Sequence, residues 1–173
     1  SARQQAAKRL GGLVEEELTS LSMDGARFVP ELRPLDETED RLALGPGGGA
    51  PYVSAAGTEQ LRFLLCANPG EELRPLARTA SGGELSRILL ALRRTLAESS
   101  PVQTCVFDEI DSGLGGETAD IVAQKLSSIA GEHQLICITH LSQIAARADR
   151  HFRVEKSMLG GRTRTAVVPL DQA

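Results

Sequence analysis

The sequence predicts an α/β fold, a mostly parallel sheet flanked by helices, with a helix and an antiparallel β segment ahead of it. Two observations predict it. Beyond residue 80, helical and strand-like patterns alternate, which is the grammar of a parallel sheet covered by helices. The runs Cys105-Val106-Phe107 and Leu135-Ile136-Cys137-Ile138 are continuously apolar, as strands buried on both faces are.

Composition sets the frame. With 173 residues, 41% hydrophobic and 24% charged, the chain can bury one real core but not two comfortable ones, so one compact unit is expected. Lys+Arg 19 against Asp+Glu 23 gives a formal net charge of -4, which neither favours nor excludes a polyanionic partner; any nucleic-acid face must be local. Cys66, Cys105 and Cys137 each sit in an apolar, strand-like run at wide spacing, a pattern of buried thiols in a reducing compartment. No stretch approaches the roughly 18 to 20 apolar residues of a membrane span, and the start lacks a signal-peptide core. A cytoplasmic protein without a membrane partner is the expectation.

From residue 2 to about 22, Ala6, Leu10, Leu13, Val14, Leu18 and Leu21 recur three or four apart, an amphipathic helix. Gly11-Gly12 weakens its middle. A helix starting at residue 1 without an N-cap reads as the cut end of something longer, such as a coiled-coil arm over 1–22. Residues 26–44 alternate loosely through Phe28, Val29, Leu32, Leu35, Leu42 and Leu44, a hairpin or meander, and the glycine-rich stretch 45–51 then breaks the chain as a turn. Residues 59–67 read as a strand stopped by Asn68-Pro69-Gly70. There follow a helix over 82–98, a strand over 104–107 that can reach back to Val102, and a helix over 117–130. A strand over 134–139, a helix over 142–148, a strand over 151–155 and a returning antiparallel edge over 163–170 complete the reading.

The chemistry-bearing residues gather at the ends of these elements. The strand ending at Phe107 emerges into Asp108-Glu109, two carboxylates at the edge where α/β folds bind ligands. In phosphoryl transfer, an acid here holds Mg²⁺, directly or through water, while its neighbour deprotonates the attacking water. A solvated strand end is the plain alternative. The next strand ends in Thr139-His140, aiming an imidazole at the same edge. His140 then touches a γ-phosphate, fixes the water, or merely caps a helix.

Ser81-Gly82-Gly83-Glu84 opens the helix that runs through Leu85, Ile88, Leu89, Leu92 and Leu96. Ser81 and Glu84 form a capping box. Capping does not ask for two glycines, however. Gly82-Gly83 bares N–H groups at the positive end of the helix, which an anion such as a terminal phosphate can approach closely.

Ser81-Gly82-Gly83-Glu84-Leu85-Ser86-Arg87 resembles the ABC signature, Val106-Phe107-Asp108-Glu109 a Walker B segment with its catalytic glutamate, and Thr139-His140 the switch histidine. They occur in family order. With Asn68-Pro69-Gly70, Ile110-Asp111-Ser112-Gly113 and Leu141-Ser142-Gln143-Ile144-Ala145, they resemble the C-terminal head lobe of the bacterial RecN-type, SMC-like ABC ATPases, over nearly the whole chain.

That resemblance implies a lobe over 23–173 and a coiled-coil end before it. Asp108 is then the residue that organises Mg²⁺, Glu109 the general base and His140 the γ-phosphate contact. Ser81, Gly82, Gly83 and Glu84 form the signature that meets ATP seated on an opposing head. The partners it implies are the N-terminal Walker A lobe of the same protein, a second head in a homodimer, and DNA at double-strand breaks, in a nucleoid-associated cytoplasmic protein. Gly115 stands where condensin-like relatives carry an aspartate, which leaves the trans contacts of residues 111–116 open. No Gly-x-x-x-x-Gly-Lys-Ser/Thr occurs, so the loop that cradles the β- and γ-phosphates must come from elsewhere.

Two other classes share these residues. A transporter's nucleotide-binding subunit uses the same chemistry, although the leading amphipathic helix argues against it. A non-catalytic dimerisation head would not be expected to keep Asp108, Glu109 and His140. A serine hydrolase lacks its Gly-x-Ser-x-Gly elbow. Arg93, Arg94, Arg147, Arg150, Arg153, Arg162 and Arg164 are candidate phosphate contacts, or equally a set of solvated and ion-paired side chains.

Overall fold

A computed structural model of the chain describes residues 1–35, 42–43, 52–78, 81–96, 103–159 and 161–170. The expected glycine-rich turn at 45–51, the extension of the second long helix to 98, the strand start at Val102 and the residue Gly160 lie outside the described residues.

Helix α1 runs Ala2–Thr19 and buries Gly11, Val14 and Leu18. It does have an N-cap: the Ser1 hydroxyl accepts from the Gln4 N–H, and the Gln4 side chain returns the bond. The Ser-x-x-Gln pattern of a capping box was in the sequence. Gly11 serves packing. A Cβ there would stand 3.0 Å from the Phe28 carbonyl oxygen and 3.2 Å from Pro30 Cδ, so the missing side chain lets α1 lie close on the strand that follows.

That strand, β1 (Arg27–Pro34), is tied to α1 by the Phe28 N–H, which donates to Glu15 Oε1 at 2.8 Å. Its partner is not the neighbouring pair β2 (Leu42–Ala43) and β3 (Tyr52–Val53), which bond to each other, but β4 (Glu59–Cys66), antiparallel from Arg27↔Cys66 to Pro34↔Glu59. A short β5 (Arg74–Pro75) extends the sheet in the order β1-β4-β5. Phe28 and Phe63 stack across β1 and β4 with centroids 5.2 Å apart. The turn at Asn68-Pro69-Gly70 is present, with Gly70 at φ +90 and the Glu71 N–H donating to the Asn68 carbonyl at 3.2 Å.

The second half places α2 (Gly82–Thr95), β6 (Thr104–Phe107), α3 (Gly116–Ala130), β7 (Gln134–Cys137) and the one-turn α4 (Ser142–Ala145). β6 and β7 pair in parallel, from Thr104↔Gln134 to Phe107↔Cys137. The α/β class is as expected. Among the described residues, though, parallel pairing is confined to these two strands, and the last two, β8 (His151–Leu159) and β9 (Arg162–Leu170), form their own antiparallel hairpin.

One core unites both halves. Val14, Leu18 and Leu21 from α1 and its exit, Phe28, Leu65, Ile88, Leu90, Ile110 and Val122 are fully buried, and each such side chain contributes about 1.5–3 kcal/mol by burial. Glu17 of α1 bridges Arg94 of α2, at 3.3 Å, and Lys125 of α3, so the helices are pinned at a charged seam beside the apolar one.

One expectation about burial is corrected. β6 and β7 are covered on one face only: Cys105 and Phe107 point into the core, while Val106 (61%), Ile136 (49%) and Ile138 (56%) are exposed. On α2 the helix buries Ile88, Leu90, Ala91 and Leu92, while Leu85, Leu89 and, just past its end, Leu96 are exposed. The apolar runs match a cover on two sides, and the described residues supply one of them.

Candidate functional site

α2 begins with the expected capping box. The Ser81 N–H donates to Glu84 Oε2 at 2.9 Å and the Glu84 N–H donates to Ser81 Oγ at 3.4 Å. Because the Ser81 hydroxyl accepts in this box, its own proton remains available to a further acceptor. The first two turns are then laced to the loop beyond β6. Ser86 Oγ donates to the Asp108 carbonyl at 2.6 Å, and Arg87 Nη1 donates to the Ser112 carbonyl at 3.0 Å. Burial presses the Arg87 guanidinium below its ordinary basicity, with nearby Glu84 acting the other way.

The two glycines have a reason within the chain itself. A Cβ on Gly82 would overlap the Glu109 carboxylate, and one on Gly83 would stand 2.9 Å from Ser112 Cβ and 3.0 Å from the Glu109 carbonyl oxygen. Thus the loop after β6 packs straight onto the start of α2, and Glu109 lies against Gly82 and Gly83. Glu109 itself has φ +56, a left-handed conformation uncommon for a residue with a side chain. Its carbonyl accepts from the Ser112 N–H at 3.0 Å, which closes the turn.

His140 joins this assembly through a residue that sequence reasoning did not single out. Asp111 is 4% exposed. Its Oδ2 accepts from the Thr139 hydroxyl at 2.5 Å and the His140 N–H at 2.8 Å, and lies 3.0 Å from His140 Nδ1. Burial alone would raise the carboxyl, yet the bonds from Thr139 and His140 and the imidazole itself hold it below its ordinary value. The His140 ring is 74% exposed, with Nδ1 on the Asp111 side.

Asp108 follows β6 and is exposed. Among the described residues no group of three His, Cys, Asp or Glu could hold a metal. One exposed carboxylate suits Mg²⁺ that keeps most of its waters and takes phosphate oxygens, rather than an all-protein cage. Cys137, opposite Phe107 in the parallel pair, is half-buried; burial first, then the Asp111 and Asp108 carboxylates, push its thiol up to about 11. The other two cysteines are free and buried. Of the candidate basic residues, Arg94 pairs with Glu17 and Arg153 with Glu155.

Ser81, Gly82, Gly83, Glu84, Asp108 and Glu109 therefore stand together, and His140 is linked to them through Asp111. Sequence reading missed Asp111, Ser86 and Arg87 as tethers. All three lie within runs that carry the resemblance, but nothing in a run tells a tether from a solvated side chain.

No family model matches the chain. Curated relatives do. It is 41% identical over 170 residues to the DNA repair protein RecN of Streptomyces coelicolor, which covers 98% of this chain and 29% of that protein. It is 36% identical over 166 residues to RecN of Bacillus subtilis, covering 96% and 29%, and 44% identical over 153 residues to RecN of Treponema pallidum, covering 88% and 25%. The chain thus spans between a quarter and a third of the length of these relatives. Among solved structures, an Smc head domain with a coiled coil and joint from Pyrococcus yayanosii aligns with TM-score 0.57 at 25% identity, covering 98% of this chain and 28% of that one. An Smc head with an extended coiled coil from Pyrococcus furiosus aligns with TM-score 0.53 at 23% identity, covering 94% and 35%. The chain belongs to the RecN family of DNA repair proteins, as a segment with the fold of an SMC head.

Proposed function

We propose that this chain is the C-terminal lobe of an SMC-like ABC ATPase head, which hydrolyses ATP together with a Walker A lobe of the same protein and a second head. The observation that carries the proposal is the lacing of the signature start, Ser81 to Glu84, onto Asp108-Glu109, with His140 tied to the same loop by Asp111. Three segments far apart in sequence meet at one edge of the β6–β7 pair, and the chain is 41% identical to a RecN protein.

In this reading Glu109 is the general base for the attacking water, and Asp108 holds Mg²⁺ through water. The metal supplies charge neutralisation for the phosphates. The free Ser81 hydroxyl proton and the N–H groups of Gly82 and Gly83 receive the γ-phosphate of a nucleotide seated on the opposing head, at the positive end of α2. Glu84 keeps that helix start in shape. His140 contacts the γ-phosphate. Because Glu109 rests against Gly82 within one chain, arrival of an opposing nucleotide at Ser81–Gly83 and movement of the base are coupled.

The open apolar side of β6 and β7, with Val106, Ile136 and Ile138, supports a covering lobe. α1 is proposed as the returning end of a coiled-coil arm over 1–22, and 23–173 as the head lobe. ATP then acts as a timed clamp between heads at DNA breaks, in the bacterial cytoplasm at the nucleoid. No described helix is long and apolar enough to cross a membrane. An ATP titration of this chain with and without the Walker A lobe tests the half-site: tight binding is expected only with both. Full turnover retained by the joined lobes after Glu109→Gln would defeat the assignment of the base.

A further inference from the structure

We propose that Asp111 is the positioning residue for His140, holding Nδ1 so that Nε2 is the ring nitrogen left for the nucleotide. The proposal rests on the reading of His140 as the γ-phosphate residue and adds what sets its orientation. Three groups converge on one oxygen of a buried side chain: the Thr139 hydroxyl donates to it at 2.5 Å, the His140 N–H at 2.8 Å, and His140 Nδ1 stands 3.0 Å away. An ionised carboxylate only accepts, so Nδ1 is the nitrogen that carries hydrogen toward it. The carboxyl is held below its ordinary value by these same bonds, so it is ionised at neutral pH.

The backbone bond fixes where residue 140 leaves the strand, and the close contact of Nδ1 with the carboxylate sets the ring's rotation. The Thr139 hydroxyl, which donates to Asp111, also accepts from the Leu141 N–H at 3.1 Å, so the turn after β7 cannot shift without breaking this set. Asp111 is in turn held by its neighbours, since Ile110 is fully buried and the Leu114 N–H donates to the Asp111 carbonyl at 3.1 Å. The exposed imidazole is thus carried on a buried anchor. A ring that turns Nδ1 to a carboxylate presents Nε2 outward, on the side left for the nucleotide.

The test is a double-mutant cycle in the full-length protein, reading steady-state ATP hydrolysis for Asp111→Asn, His140→Ala and the pair. An amide oxygen carries no charge, and the amide NH₂ beside it donates where the carboxylate only accepts. Asp111→Asn is expected to lower kcat by about tenfold or more with KM for ATP within about twofold of wild type. The pair is expected to be no slower than His140→Ala alone. If the pair falls by the product of the two single effects, or Asp111→Asn keeps the wild-type kcat, the positioning role is wrong. If His140→Ala itself keeps the wild-type kcat, the γ-phosphate reading fails first and takes the proposal with it. A measurement that needs no Asp111 variant uses ¹⁵N-histidine-labelled protein. The ring resonances lost in His140→Ala are expected to show a protonated Nδ1, and an unprotonated Nδ1 overturns the proposal.

Discussion

The Glu109 carboxylate fills the space that a side chain on Gly82 would take, while the Glu109 backbone closes on Gly83. The two glycines therefore answer to different parts of one residue. At position 82 the obstacle is the end of a side chain that can rotate away; at 83 it is the Glu109 carbonyl at 3.0 Å and Ser112 Cβ at 2.9 Å.

Their alanine variants should separate accordingly. Gly82→Ala is expected to leave thermal stability within about 1 kcal/mol, since alanine is the better helix former, but to displace Glu109 and cut ATP turnover by the two-lobe protein. Gly83→Ala is expected to cost about 1–3 kcal/mol through overpacking against backbone. Urea denaturation of both variants, beside their ATPase rates, checks the split; equal destabilisation by the two would contradict it.

How far the site could be read from sequence depends on how local its bonds are. The capping box of Ser81 and Glu84 spans three residues, and the Asp108-Glu109 and Thr139-His140 pairs announce themselves where apolar strands stop. Asp111 does not. Its partners lie 28 and 29 residues away, and a buried aspartate in a turn looks, in sequence, like an exposed one. The left-handed backbone of Glu109 left no mark either, because a glycine would signal φ above zero and a glutamate hides it. The fold class was legible in the alternation beyond residue 80. Which face of β6 and β7 is covered was not, since an apolar Val106 or Ile136 records that a cover exists without saying which chain segment provides it.

Asp111 predicts a loss of stability in acid. Its folded-state carboxyl lies below its ordinary value of 3.8, so its contribution is whole above that value and is lost as pH falls through the lower folded one. The difference in urea midpoint between wild type and Asp111→Asn is expected to be constant from about pH 7 to pH 5 and to shrink below about pH 4. A difference that grows in acid would reverse the sign.

Cys137 should be a poor nucleophile. With its thiol pushed up to about 11 by burial and by the Asp111 and Asp108 carboxylates, its thiolate is scarce at pH 8. Alkylation by iodoacetamide, followed by peptide mass mapping, is expected to be roughly a hundredfold slower than for a free thiol, and to become fast in denaturant. Rapid labelling of the native protein would show that the site is more open or less negative than the geometry implies.

Ile110 links the two acids of the loop to the core. It is fully buried between Glu109, which is exposed, and Asp111, which is not. Ile110→Ala should cost about 2–5 kcal/mol, and because Glu109 and Asp111 flank it, turnover should fall even at temperatures where the variant remains folded. Circular dichroism melts with parallel ATPase rates would show it; a variant with normal stability would mean that the loop is not anchored there.

Glu109 should trade stability for its place in the site. At φ +56 a residue with a Cβ carries a steric penalty of about 1–2 kcal/mol, which glycine escapes while losing about 0.5–1 kcal/mol more on folding. Glu109→Gly is therefore expected to be more stable than wild type by up to about 1 kcal/mol, a rise of roughly 2–4 °C in melting temperature. Glu109→Gln keeps the Cβ and should melt near wild type. Both should lose hydrolysis. If glycine at 109 destabilises the chain instead, the left-handed turn is not the conformation that residue 109 holds in solution, and the packing of Glu109 on Gly82 falls with it.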